Sequence, residues 1–215
     1  MSIISLVAGG WSFDQIDQAK LPGKIVAING AAMHLTRVDE IVTMDRLFIE
    51  WVWDGLKEHQ ADPSRSLIPV YARNHAVKRL PRAEVNTAVS QNWLHVFTNN
   101  NKGKVPMSET PGTLNGSNSG ACGLNRVYQD RPRQLYLFGF DMCLSKSGEA
   151  YWYKPYPWSK NKSGAGASRL RLWATEFEQC ARQFAKAGIE VLNVSEHSAI
   201  TAFKKISPAA LGIEK

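Results

Sequence analysis

The chain has little of what marks the commonest nucleotide- and metal-dependent enzymes. Three cysteines occur in 215 residues: Cys122, Cys143 and Cys180. An odd number without metal-site spacing fits reduced, mostly packed thiols of a cytoplasmic protein better than a disulfide framework. The five histidines, His34, His59, His75, His95 and His197, never fall in an H-x-x-x-H or H-E-x-x-H pattern, which argues against a zinc enzyme. No G-x-x-x-x-G-K-S/T loop, G-x-G-x-x-G fingerprint or G-x-S-x-G elbow is present. Lys160-Asn-Lys-Ser-Gly-Ala-Gly166 has the composition of a phosphate loop but follows prolines instead of a strand. No apolar run approaches the roughly 18–20 residues of a membrane span. The first ten residues lack a basic n-region, so they are not read as a signal peptide.

What is present favours a folded chain. Hydrophobic residues make up 44% and charged ones 21%, a globular balance at a length suited to one domain over 1–215. The net charge of +7 predicts affinity for anions, whether a nucleotide, nucleic acid or an acidic surface.

Apolar runs at Ile3–Val7, Lys24–Ile28 and Glu40–Met44 predict three strands. A helix is expected to open near Ser12 or Asp14. Another, from Arg46 to about Glu58, is expected to bury Leu47, Phe48, Trp51, Val52 and Leu56. Strands and helices alternating so closely predict parallel βαβ units and an α/β fold with a mostly parallel, Rossmann-like sheet. Leu67–Tyr71 reads as an edge strand because Pro69 cannot donate a ladder bond. Trp93–Phe97 reads as a further strand, residues 74–92 are weakly patterned, and 98–118 read as a long loop. A helix at about 118–129, a strand at 134–138, a helix from Leu170 to Ala187 ended by Gly188, a strand at Ile189–Val194 and a short helix after Ser195 complete the expectation. Residues 145–168, crowded with aromatics, prolines and glycines, read as a lid.

The stretch Gly116-Ser-Asn-Ser-Gly-Ala-Cys-Gly123, followed by the strand Leu135-Tyr-Leu-Phe-Gly-Phe-Asp141, carries the functional reading. Small residues let a ligand approach the backbone, and amides at a helix start suit phosphate. Small or polar residues also follow the other strands: Gly9 and Gly10, Asn29, Asp45, Asp141, and Asn193 or Ser195. In a parallel sheet these converge on one crevice. Tyr151–Trp158 can stack a base or cover a charged ligand, with Lys154, Lys160 and Lys162 neutralising phosphate.

Val7-Ala-Gly-Gly-Trp-Ser-Phe-Asp14, Val26-Ala-Ile-Asn29, Val42-Thr-Met-Asp45, Asn118-Ser-Gly120 and Leu135–Asp141 together resemble two related groups. One is the bacterial sialyltransferases that use CMP-sialic acid. The other is the archaeal-type hydroxymethylpterin diphosphokinases and their relatives, some encoded by phages. The resemblance implies a nucleotide pocket at Gly9, Gly10 and Asn29, with Asn118, Ser119 and Gly120 holding base, ribose or phosphates. It also implies a leaving phosphate supported by two tyrosines among Tyr151, Tyr153 and Tyr156. Two departures stand out: Ala8-Gly-Gly-Trp-Ser12 replaces the family's Gly-x-Gly-Pro-Ser, and Ser163–Ser168 lacks the sialyltransferase histidine. Asp45 matches the diphosphokinase-like relatives, where an acid there helps hold Mg²⁺.

The expectation is a transferase that moves a group, a glycosyl group foremost, from a nucleotide donor to a hydroxyl acceptor. Asp45, Asp141, Tyr151 and Tyr156 are expected to be catalytic, and Gly9, Gly10, Ser12, Asn29, Asn118, Ser119, Gly120 and Lys154 to bind the donor. Mg²⁺ at Asp45 accompanies the alternative, diphosphoryl transfer from ATP. A non-catalytic protein that binds a nucleotide or nucleic acid is the third reading.

Overall fold

Strand positions and pairing come from a computed structural model, which describes residues 2–100, 107–154, 156–158 and 166–215. Among these, eight strands form one sheet: β1 (Ile3–Val7), β2 (Lys24–Ile28), β3 (Glu40–Thr43), β4 (Val70–Arg73), β5 (Leu94–Phe97), β6 (Gln134–Phe138), β7 (Glu190–Asn193) and β8 (Lys204–Lys205). Every pair is parallel, in the order β5-β4-β3-β2-β1-β6-β7-β8. The chain winds outward from β1 through β5, then returns to β1's other side with β6. That reversal makes the carboxyl end between β1 and β6 the switch point, where open α/β sheets leave a crevice.

Alternation along each strand supplies both cores. Ile4 and Leu6 of β1, with Val42 and Leu137, face α4 (Ser119–Asp130) and α5 (Ala167–Lys186). On the opposite face, Ile41, Val70, Ala72 and Leu94 pack under α1 (Arg46–Ala61), α2 (Asn74–Val77) and α3 (Arg82–Ser90). Val7, Ile25 and Phe138 pack there beneath Phe13, Ile16, Leu21 and Ile213.

Several sequence expectations are corrected. The link from β1 to β2 holds no α-helix but two 3-10 turns, Trp11–Gln15 and Gln18–Lys20, so Ser12 lies inside a turn whose N-cap is Gly10. Strand β4 is central, pairing with both β3 and β5. Pro69 stands just before it, where its missing N–H costs nothing and its carbonyl accepts from the Ile41 amide at 2.9 Å. Helix α1 buries Phe48, Ile49, Val52, Trp53 and Leu56 and leaves Leu47 and Trp51 exposed. The weakly patterned 74–92 stretch holds α2 and α3, whose few buried residues left no periodicity to read. After Ser195 the chain forms β8 and a 3-10 turn at Ala209–Leu211, where a short helix was expected. All three cysteines are free, with Cys122 and Cys180 buried. Burial pushes both thiols up to about 12, which makes them inert packing groups. No described helix is long and apolar enough to cross a membrane.

Candidate functional site

The register carries the residues after β1, β2, β3, β4 and β6 to one edge. Val7 stands opposite Ala27 and Phe138, Ile28 opposite Val42, and Thr43 opposite Ala72. A cavity of about 430 Å³ opens there, lined by Gly9, Gly10, Asn29, Asp45, Asn118, Ser119, Gly120 and Asp141 of the expected site. Tyr151 and Tyr156 line it too, together with Tyr153, Arg73 and Trp173. Ser12 and Lys154 stand outside this lining.

Asp141 ends up as a brace. It is 1% exposed, with Oδ2 accepting from the Ser12 amide at 2.9 Å and Oδ1 from the Ser195 hydroxyl at 2.6 Å. It ties the turn after β1 to the ends of β6 and β7. Burial pushes its carboxyl above the usual range, while the Ser12 and Ser195 donors pull the other way. Gly10 is required by this junction: a Cβ there would overlap the Gly139 carbonyl and Asp141 Oδ2.

The Asn118–Gly120 turn is also built from within. Asn118 caps α4 by accepting from the Ala121 amide at 3.0 Å and donates to Glu176 Oε2 at 3.0 Å. Glu176 further accepts from the Ser117 amide at 2.6 Å and hydroxyl at 2.5 Å. Ser119 Oγ accepts from the Met44 amide at 3.0 Å. The side chains expected to touch a nucleotide therefore set the turn's shape, and the α4 N-terminus faces the cavity with its positive dipole end.

Asp45 caps α1, with Oδ1 accepting from the Leu47 and Phe48 amides at 2.9 and 3.3 Å. With one oxygen so used and Asp141 buried, these residues do not make a Mg²⁺ site by themselves. Among the described residues, no group of three His, Cys, Asp or Glu is placed to hold a metal ion. Asn29, in the left-handed region at φ 49°, has a buried Oδ1 at the cavity wall without a hydrogen-bond partner among the described residues.

The tyrosines form the roof. Tyr151 pairs with Gly10 as an isolated antiparallel bridge and stacks on Tyr153, centroids 5.6 Å apart. His34 stacks on Tyr153 at 4.8 Å. The Tyr156 hydroxyl accepts from the Gly30 amide at 2.8 Å. A Cβ on Gly30 would lie 2.6 Å from Tyr156 Oη and 3.0 Å from Tyr153 Oη, so both hydroxyls converge on this turn. Burial raises both phenols, Tyr156 to about 12, and the nearby Asp45 charge adds to the shift. They stay protonated and can donate across the physiological range.

The described part of the expected lid is stitched to the sheet. The Trp152 amide donates to the Gly9 carbonyl and its indole N–H to the Ala8 carbonyl, each at 3.2 Å. Lys154 is exposed and faces a different hollow; Lys160 and Lys162 lie outside the described residues. Tyr153 was one of three alternatives in the sequence. Arg73 and Glu176 were missed. Arg73 ends a strand read as stopping at Tyr71, so strand-end reasoning with the right boundary finds it. Glu176, on a helix's polar side, carries no such signal.

No protein-family model matches the chain, and no curated protein matches it by sequence. Among solved structures it is similar to the sialyltransferase CstII from Campylobacter jejuni in complex with the substrate analogue CMP-3FNeuAc. The TM-score is 0.53 at 12% identity, covering 97% of this chain and 87% of that one. A second CstII structure, with cytidine-5'-monophosphate, gives 0.52 at 13% identity over 97% and 86%. At such identities the likeness establishes a shared α/β fold.

Proposed function

We propose that the protein is a nucleotide-sugar-dependent glycosyltransferase whose donor lies in the cavity at the β1/β6 switch point. The observation that carries this reading is the convergence of the Tyr153 and Tyr156 hydroxyls on the Gly30 turn. When the bond from the sugar's anomeric carbon to the phosphate oxygen breaks, the nucleotide leaves with the electron pair. The neutral Tyr156 phenol, its oxygen held by the Gly30 amide and the Tyr153 hydroxyl, keeps its own O–H to donate to that growing negative charge. Arg73 and the α4 N-terminus make this wall attractive to an anion. The CstII structures in complex with CMP-3FNeuAc and cytidine-5'-monophosphate share the fold, which supports a nucleotide ligand.

The acceptor oxygen bonds to the anomeric carbon and must lose its proton. Asp45 is the half-buried carboxylate on the wall, and its Oδ2 is the atom assigned that role. Asp141 is assigned the positioning of Ser12 and the β6 end.

A thermal-shift series with CMP, UDP, GDP, ADP and ATP, with and without Mg²⁺, tests the reading. A shift by CMP or UDP that needs no Mg²⁺ supports it. A shift confined to Mg-ATP would replace it with diphosphoryl transfer, and salt-sensitive DNA binding without any nucleotide shift would replace it with a nucleic-acid role.

A further inference from the structure

Two runs of cations flank the cavity, one on each face of the sheet. Arg73 lines it at the end of β4, and Leu170 and Trp173 line it from the first turns of α5. From Arg73 the chain continues outward through Lys78, Arg79 and Arg82, with no acid before Glu84. Beside Leu170 stand Arg169 and Arg171, with no acid between Gly166 and Thr175. Lys78, Arg79, Arg82, Arg169 and Arg171 are all exposed, and none forms an ion pair among the described residues. The acids that end the two runs are occupied. Glu84 accepts from Trp53 Nε1 and Lys57 Nζ, each at 2.7 Å, and Glu176 holds Ser117 and Asn118.

None of these five side chains lies in the cavity's lining, so a mononucleotide filling its 430 Å³ leaves them unmatched. They call for a second anion, long enough to cross the mouth. Four of the five are arginines, whose planar forks match phosphate oxygens. An anionic bilayer would also need apolar side chains to bury, and Leu172 is the one large hydrophobic exposed in either run. The chain's net charge of +7 adds long-range attraction. We infer that the rim of the cavity is a docking surface for a nucleic-acid duplex. Lys78, Arg79 and Arg82 hold one stretch of its phosphate backbone, and Arg169 and Arg171 hold another. Contacts to phosphate carry no sequence information, so the surface binds without sequence preference. It uses no group of the cavity and stands apart from the transferase reading.

Fluorescence anisotropy of the full chain with a labelled DNA duplex, about two helical turns long, tests it over a range of NaCl concentrations. Five phosphate contacts predict that log K falls with log salt at a slope of about −4.5. Lys78→Ala/Arg79→Ala/Arg82→Ala should bring the slope to about −2 and weaken binding about ten-fold or more at low salt. Arg169→Ala/Arg171→Ala should bring it to about −3. Because all five positions are exposed, both variants should keep the melting temperature of the parent chain. Saturating CMP should leave duplex binding unchanged. No duplex binding at low salt, a slope unchanged in either folded variant, or displacement of the duplex by CMP would overturn the surface. Equal affinity for polyglutamate or for phosphatidylglycerol vesicles would overturn it too. Duplex binding that meets these criteria in a protein that no nucleotide stabilises would keep the surface and remove the transferase reading.

Discussion

At the scale of single residues, the cavity divides into groups that build it and groups left to meet a ligand. Asn118, Ser119, Asp141 and Glu176 spend their side chains on the protein's own backbone and turns. Tyr156 does both, accepting from Gly30 while facing the cavity. Tyr156→Phe is expected to lower turnover by about 100-fold, the usual cost of removing one preorganised donor. It should also cost about 1–3 kcal/mol of stability by leaving the Gly30 amide without its acceptor. Steady-state kinetics and denaturant melts check the two effects separately. Arg73 has no carboxylate within ion-pair distance among the described residues. Arg73→Gln should therefore weaken CMP binding about ten-fold while leaving cytidine binding unchanged, since only CMP brings the charge. Calorimetry with both ligands decides this, and equal losses would place Arg73 outside the phosphate's reach.

At the scale of elements, the two glycines after β1 have different neighbours and predict different failures. A Cβ on Gly10 meets fixed atoms, the Gly139 backbone and the braced Asp141 carboxylate. A Cβ on Gly9 meets the end of a side chain, Tyr153 Oη, at 2.8 Å. Gly10→Ala should thus destabilise the fold by about 1–3 kcal/mol through overpacking. Gly9→Ala should displace the tyrosine roof and reduce nucleotide affinity with a smaller loss of stability. Melting curves and nucleotide titration of the pair test the distinction, and the reverse ranking would contradict the packing described here. The segment expected to be a lid already bonds to the backbone after β1. Composition alone marks such a stretch as irregular, but irregular backbone packs tightly when aromatic rings have a wall to cover.

Across the whole molecule, the sheet separates function at one end from an ionic clamp at the other. Glu40, 2% exposed, opens β3 and meets Lys24 Nζ at 2.7 Å and Arg126 Nε at 2.9 Å. Asp130 completes the network through Lys24 and Arg126. Arg126 also lies over the Tyr71 ring, 4.4 Å from its centroid. Glu40→Ala leaves a largely buried guanidinium without its main partner, and a loss of about 3–5 kcal/mol is expected. Because the clamp sits at the strands' amino ends, nucleotide affinity of the folded variant should not change. A chemical-denaturation curve together with a CMP titration below the transition tests both parts.

The order of strands and helices was legible in the sequence wherever an element was apolar enough to leave a period. Ile3–Val7, Lys24–Ile28, the helix near 118–129 and the strand at 134–138 were read almost to the residue for that reason. Glycine and polar residues at strand ends likewise pointed to one shared edge, because parallel strands all run the same way. What side chains do at that edge was decided only by tertiary structure. Asp141 looked like a crevice acid until Ser12 and Ser195, 129 and 54 residues away, were seen to occupy its oxygens. Tyr153 and Tyr156 were two of three alternatives until Gly30, 126 residues before Tyr156, drew their hydroxyls together. Periodicity reports which face of an element meets the core, a local property. The partner of a polar group is a long-range choice that exists only once the chain has closed.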